Sequence, residues 1–235
     1  MNEIYCFLKR LFFQKTASDA RVVALVPDFL RYRSAEDLLR LGKANDGGYL
    51  VSKLDVERSS QLISLGMGYD WSFERDFLRR KDIPVCIFDA SVSLGLFYRN
   101  AYFELARLNI WGVFFNLLTA FRYLLFFRGS GVHHRPFYVS NFSDGNTLSL
   151  EDVFAETNED QIFLKIDIEG NEYRILETLL TNQARVSGLV IEFHDCDLHL
   201  EKIKRFRSEF DLKLVHIHAN NYAGSDRATE MPLVI

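Results

Sequence analysis

Along this chain, apolar and polar positions switch repeatedly between two periods. Short apolar runs that suit buried strands give way to stretches with apolar residues three and four apart, the spacing of a helix face. Leu62–Ile63–Ser64–Leu65–Gly66 reads as a strand and Ser72 to Arg80 as the helix after it. Val85–Cys86–Ile87–Phe88–Asp89 is the next strand and Phe137–Tyr138–Val139–Ser140 a third. Ser149 then opens a helix, with Asp152 at the capping-box position. Ile162 to Ile168 is a fourth strand, and its helix carries Ile175, Leu176, Leu179 and Leu180 at helical spacing. Leu189 to His194, Leu214 to His218 and Leu233 to Ile235 complete the strands, with a helix over Leu198 to Phe210. Upstream, Ser18 to Leu41 reads as helical, Asp46–Gly47–Gly48 as a turn, and Tyr49–Leu50–Val51 as a short strand.

Strands alternating with helices imply right-handed crossovers and a largely parallel sheet. The fold class is therefore α/β, doubly wound, with seven strands and helices on both faces. One segment departs from the alternation. From about Gly95 to Phe127 an aromatic helical block replaces an ordinary crossover, and Ile110 to Phe127 approaches the length of a membrane span. Asn116, Thr119 and Arg122 interrupt that run, and an arginine near the centre of a span is expensive. A buried helix pair or substrate lid is the first reading, an interfacial helix in peripheral contact with a membrane the second, and a true span the last.

Composition narrows the function. Apolar residues make up 48% of 235, enough for a substantial core, and the net charge of −4 argues against a nucleic-acid binder. Cys6, Cys86 and Cys196 are odd in number and form no CxxC pair, so a reducing, cytoplasmic setting is expected. Met1 to Phe13 lacks a small-residue cleavage site, which argues against a signal peptide.

The chemistry gathers at the expected strand ends. Phe163 to Tyr173 runs from an apolar strand through Asp167, Glu169 and Gly170 into a helix, and carboxylates at that edge disfavour stability unless they hold a ligand. Gly66–Met67–Gly68 lets backbone approach a ligand closely, although Trp71 stands where a dinucleotide fingerprint has its third glycine. Asp89 ends the second strand, where an acid reaches a ribose hydroxyl pair in such folds. His194, beside Glu192 and Asp195, is the preferred general base. Asp167, Glu192, His194 and Asp195 also suit a divalent metal, the rival means of acidifying a hydroxyl. His216 and His218 share a strand face, with Asn220 and Asn221 beyond, as candidate acceptor contacts. Glu172, in the first helical turn, is read as structural.

Lys43 to Tyr49 (KANDGGY), Ser64 to Glu74 (SLGMGYDWSFE), Lys165 to Glu172 (KIDIEGNE) and Ile191 to His194 (IEFH), in that order, resemble the FkbM-like methyltransferases. The likeness runs from about Lys43 to Ile235 and includes His216 to Tyr222 (HIHANNY). It implies a Rossmann-like class I fold binding S-adenosylmethionine and transferring methyl to oxygen, often on a sugar, glycan or glycolipid. Carried onto this chain, Gly66 and Gly68 line the methionine part of the cofactor and Asp89 holds the ribose. Asp167 faces the sulfonium and acceptor, and Asn45 and Asp46 help close the pocket. Glu169, from its own place at the start of the helix after strand four, is a candidate to reach the cofactor's amino group. The expected layout is an N-terminal helical extension over 1–42 and a methyltransferase domain over 43–235 with a helical insertion at about 94–128. The insertion exceeds a compact core, so acceptor specificity does not carry over. Two competing readings are a NAD-dependent oxidoreductase on the same sheet type and a non-catalytic membrane-associated interaction module.

Overall fold

A computed structural model describes residues 26–33, 35–43, 48–129, 131–220 and 232–235. After a 3-10 turn at Asp28–Leu30, an antiparallel hairpin forms from β1 (Leu38–Leu41) and β2 (Tyr49–Ser52), followed by the short α1 (Lys53–Arg58). Then come β3 (Gln61–Leu65), α2 (Ser72–Arg80) and β4 (Val85–Phe88). The helices α3 (Leu94–Ala106) and α4 (Ile110–Phe127) form a hairpin before β5 (Val132–Arg135). β6 (Tyr138–Ser140), β7 (Thr147–Ser149) and α5 (Leu150–Ala155) lead into β8 (Ile162–Ile166), α6 (Glu172–Thr181), β9 (Val186–Ile191) and α7 (Cys196–Glu209).

The central sheet has five parallel strands in the order β5–β4–β3–β8–β9. Chain order runs outward from β3 in one direction through β4 and β5, then in the other through β8 and β9. The strand order thus reverses between β3 and β8, the switch point outside which ligands bind in open α/β sheets. β8 is buried along its whole length, as an apolar central parallel strand must be. Its alternate residues feed two cores. Ile162, Leu164 and Ile166 pack with Ile63, Val153, Ile175 and Ile203 on one face; Phe163 packs with Leu62, Phe73, Phe77 and Ile87 on the other. Each such side chain stabilises the fold by roughly 1.5–3 kcal/mol.

The α/β architecture with its mainly parallel sheet follows the sequence reading, and α2 spans the expected Ser72–Arg80. Four expectations need correction. Leu38–Leu41 belongs to a strand, because the hairpin gives its backbone groups partners; the hairpin also bridges the expected boundary at residue 42. The sheet edge is formed by Val132–Arg135, a polar run that periodicity hides, while Tyr138–Ser140 pairs with β7 in a separate two-stranded sheet. The sheet has five strands among the described residues, not seven. Leu214–His218 joins no strand, and the tail meets the sheet end through Phe193 and Ile235, which exchange both backbone hydrogen bonds, and through Leu233, whose carbonyl accepts from Cys196 N. Finally, the α3–α4 hairpin is not a buried pair, since only Phe97, Ala101 and Ala120 in it are buried. Residues 18–25 and 34 of the expected N-terminal helix, and Asn45 and Asp46, lie outside the described residues, and the described part of that helix forms only a 3-10 turn at Asp28–Leu30 before β1.

Candidate active site

At the carboxyl end of β3 the chain turns through Gly66 at φ +80° and Gly68 at φ +56°. A methyl group on Gly66 would lie 1.7 Å from the Asp167 carbonyl oxygen, so no other residue lets β3 and β8 approach so closely there. Gly68 has nothing within 4 Å of such a methyl, and its backbone borders open space. Beneath the turn lies a polar network that the sequence reading left unassigned. Lys165 is 4% exposed and donates to the Gly66 carbonyl at 2.6 Å. Its ammonium sits 3.7 Å from Glu74, which is fully buried and accepts from Ser64 Oγ at 2.6 Å. Ser64 and Lys165 are register partners on adjacent strands, so their side chains emerge together under α2. A buried pair of this kind gives little net stability but holds the turn in one geometry.

Asp89 folds back onto the same turn. One carboxylate oxygen accepts from the amides of Met67 and Gly68, each at 2.8 Å, and the other from Ser91 N and Oγ at 2.7 and 2.6 Å. Burial alone pushes the carboxyl upward, but these bonds outweigh it and hold Asp89 below the ordinary carboxylate range. Its carbonyl accepts from His134 Nε2 at 2.8 Å, and His134 Nδ1 lies 2.5 Å from the Tyr123 hydroxyl of α4. Trp71 closes the turn from above, stacked on Phe126 with ring centres 6.3 Å apart. The residue that spoils a dinucleotide fingerprint is therefore the anchor for the aromatic helices.

Across the switch point, β8 ends in Asp167 and the turn continues through Glu169, at φ +54°, and Gly170, at φ +98°. A glutamate held in the left-handed region stores strain of the order of 1 kcal/mol, a feature that clusters at functional turns. Glu172 is fully buried and accepts from the amides of Ile168 and Gly170 at 3.0 and 2.9 Å. Its Oε1 also stands 3.1 Å from His194 Nδ1. A carboxylate only accepts, so this contact puts the proton on Nδ1 and turns Nε2 toward Asp167 at 3.9 Å and Glu169 at 3.6 Å. Thus the carboxylate that orients His194 comes from the helix after β8, not from its own strand, because a chain reversal rather than sequence proximity sets the contact.

Asp167, Glu192 and His194 each present one ligand atom within 4.8 Å of the others. Asp195 is outside this group; it stands at the start of α7 with φ +50°, and its side chain makes no capping bond. Glu192 is steadied by Tyr49 of the hairpin at 2.9 Å and by Asn220 of the tail at 3.1 Å. Asn220 thus reaches the site through Glu192, and Tyr49 is a residue the sequence reading missed, its only signal being its place after the glycine turn. His216 and His218 do share a face, with rings 6.4 Å apart, but they sit beside Tyr32, 6.3 Å from His216. Burial is the main reason Asp167 is pushed up to about 6, with Glu192 and Glu169 adding to it against Lys165 and His194. Burial would lower His194, but Glu172, Glu169 and Asp167 overcome it and raise the imidazole to about 9. In this setting the imidazole holds its proton more tightly than a free histidine does.

Two different devices thus meet at one switch point: an open glycine turn held by Asp89, and a carboxylate–imidazole cluster at the ends of β8 and β9. No curated protein and no solved structure matches the chain. A family model, described as the methyltransferase FkbM domain, matches residues 138–220. This segment carries β8, the strained turn, His194 and Asn220, and over it the chain is similar to the methyltransferase FkbM domain.

Proposed function

We propose that this protein is an S-adenosylmethionine-dependent methyltransferase that methylates a hydroxyl of a sugar, glycan or glycolipid. The observation that carries the reading is the Asp167–Glu192–His194 cluster facing the open Gly66–Gly68 turn across the point where the strand order reverses. S-adenosylmethionine supplies, when bound, an electrophilic methyl group. Gly66 and Gly68 would line it, with the unobstructed backbone at Gly68 supporting the fit. Asp89 would receive the ribose hydroxyls in exchange for its bonds to Ser91, since all of its acceptor directions are already used.

On the acceptor side, Asp167 is the group suited to take the hydroxyl proton. Its carboxyl, raised to about 6 by burial, is ionised at neutral pH yet a better proton acceptor than an ordinary aspartate. His194, its proton held tightly on its Glu172 support, would orient Asp167 and steady the negative charge that develops on the acceptor oxygen. This moves the base role away from His194, the residue favoured by sequence alone. Calorimetry with S-adenosylmethionine, its demethylated product and NAD tests the cofactor; binding of NAD alone would sink the proposal. Methyl transfer to a panel of free sugars, glycans and glycolipids tests the acceptor.

A second reading is favoured by one contact. The buried Glu172 carboxylate behind His194 Nδ1 is the arrangement that orients metal-binding histidines. Asp167, Glu192 and His194 would then hold a divalent cation, which would acidify the acceptor hydroxyl. Activity that survives exhaustive chelation excludes it.

A further inference from the structure

The α3–α4 hairpin carries an apolar surface that the methyltransferase reading leaves without a task. Among the described residues, thirteen of the twenty exposed large apolar side chains fall between Tyr98 and Leu125. They are ordered rather than scattered. On α4, Ile110, Phe114, Leu117, Phe121 and Leu125 recur at intervals of four, three, four and four, a continuous helical stripe that is 45–78% exposed. The opposite stripe, Asn116, Ala120, Tyr123 and Phe127, faces the body of the protein. There Ala120 is buried, Tyr123 bonds to His134, and Phe127 packs on Tyr123 with ring centres 4.5 Å apart. The helix is therefore inverted, with its more apolar face outward. At the hairpin tip Leu108 and Trp111 are 85% and 74% exposed.

Charge identifies what covers this face. From Leu94 to Arg128 the hairpin holds Arg99, Arg107, Arg122 and Arg128, all exposed, against a single acid, Glu104, in a chain whose net charge is −4. A second copy packed about a two-fold axis would set these arginines against themselves. A bilayer with anionic lipid offers acyl chains to the stripe and phosphate oxygens to the guanidinium groups. Tyrosine and tryptophan at the rim also suit the headgroup level. Spanning is disfavoured because the inner stripe is bonded to the sheet through Tyr123 and His134, and Arg122 lies within the apolar run of α4. We infer that the α3–α4 hairpin is an interfacial anchor that lies flat on an anionic lipid surface, burying its outer stripe among the lipid chains. Through the Tyr123–His134–Asp89 contacts the anchor is joined directly to the glycine turn, so the catalytic crevice is held at the lipid surface.

The test is flotation of the full chain with vesicles of phosphatidylcholine alone and with about one third phosphatidylglycerol, at low and high salt. Expected are co-flotation with the anionic vesicles, weaker binding to neutral vesicles and in salt, and quenching of Trp111 by brominated lipid. The double variant Phe114→Glu/Phe121→Glu changes only exposed positions and should bind at least about tenfold less while keeping the wild-type circular dichroism and melting midpoint. Equal binding to both vesicle types, or no binding to either, overturns the inference. So does light scattering that shows a dimer which the double variant dissociates while vesicles fail to bind. Because flotation needs no cofactor, its outcome is separable from that of the methyltransferase proposal.

Discussion

The two glycines of one turn should respond differently to the same substitution. Gly66 and Gly68 both have positive φ, which disfavours alanine by roughly 1–2 kcal/mol. Alanine also restricts the unfolded chain, which returns about 0.4–1 kcal/mol. At Gly68 nothing lies within 4 Å of the added methyl, so Gly68→Ala should destabilise by about 1 kcal/mol or less. At Gly66 the methyl would lie 1.7 Å from the Asp167 carbonyl oxygen and 2.8 Å from its carbon. Those atoms belong to the backbone at the end of β8, so relief requires separating β3 from β8, and overpacking adds typically 1–3 kcal/mol. Lys165 would also lose its acceptor geometry at the Gly66 carbonyl. Gly66→Ala should therefore destabilise by about 3–4 kcal/mol, several times the effect at Gly68. Urea unfolding monitored by fluorescence and far-ultraviolet dichroism measures both, with unchanged slopes licensing the comparison. Equal losses in the two variants would refute the reasoning, because only the close approach of the strands distinguishes the sites.

Other consequences follow from the same geometry. Asp89 is held below its ordinary pKa, so it contributes stability that is complete above the unfolded value near 3.8 and is lost as pH falls through the folded value; the stability gap between wild type and Asp89→Asn should shrink below pH 3.8, as read by urea titrations at successive pH. Glu172→Gln removes the charge that supports His194, and the histidine should titrate well below about 9 in NMR while unfolding costs about 1–3 kcal/mol less because the turn amides lose charged acceptors. Asp167→Asn should lower methyl-transfer turnover by about 10²–10⁴ with S-adenosylmethionine affinity retained, and His194→Ala by less; an Asp167→Asn enzyme with wild-type turnover removes the proposed base. Asp89→Ala should instead weaken cofactor binding in calorimetry, since it frees the amides of Met67 and Gly68 and loosens the turn.

Much of this protein is legible in its sequence alone. The apolar runs at Leu62, Val85 and Ile162 are short, continuous and flanked by helical spacing, so local pattern and global fold agree and the parallel sheet is read directly. The glycine–aspartate turn and the acidic end of β8 were visible because positive φ and strand-end charge restrict residue type locally. The tertiary structure alone decided three matters. Val132–Arg135 became the sheet edge because β4 supplies the backbone partners its polar side chains do not advertise. Glu172 and Tyr49 joined the site because contacts across 22 and 143 residues are set by chain reversals, which carry no periodic signal. The aromatic block, whose composition suits a core equally well, is turned outward because its other face is already held by Trp71, His134 and the sheet. Local sequence determined which residues could do chemistry; packing determined which of them meet, since side-chain convergence depends on where distant backbone segments close.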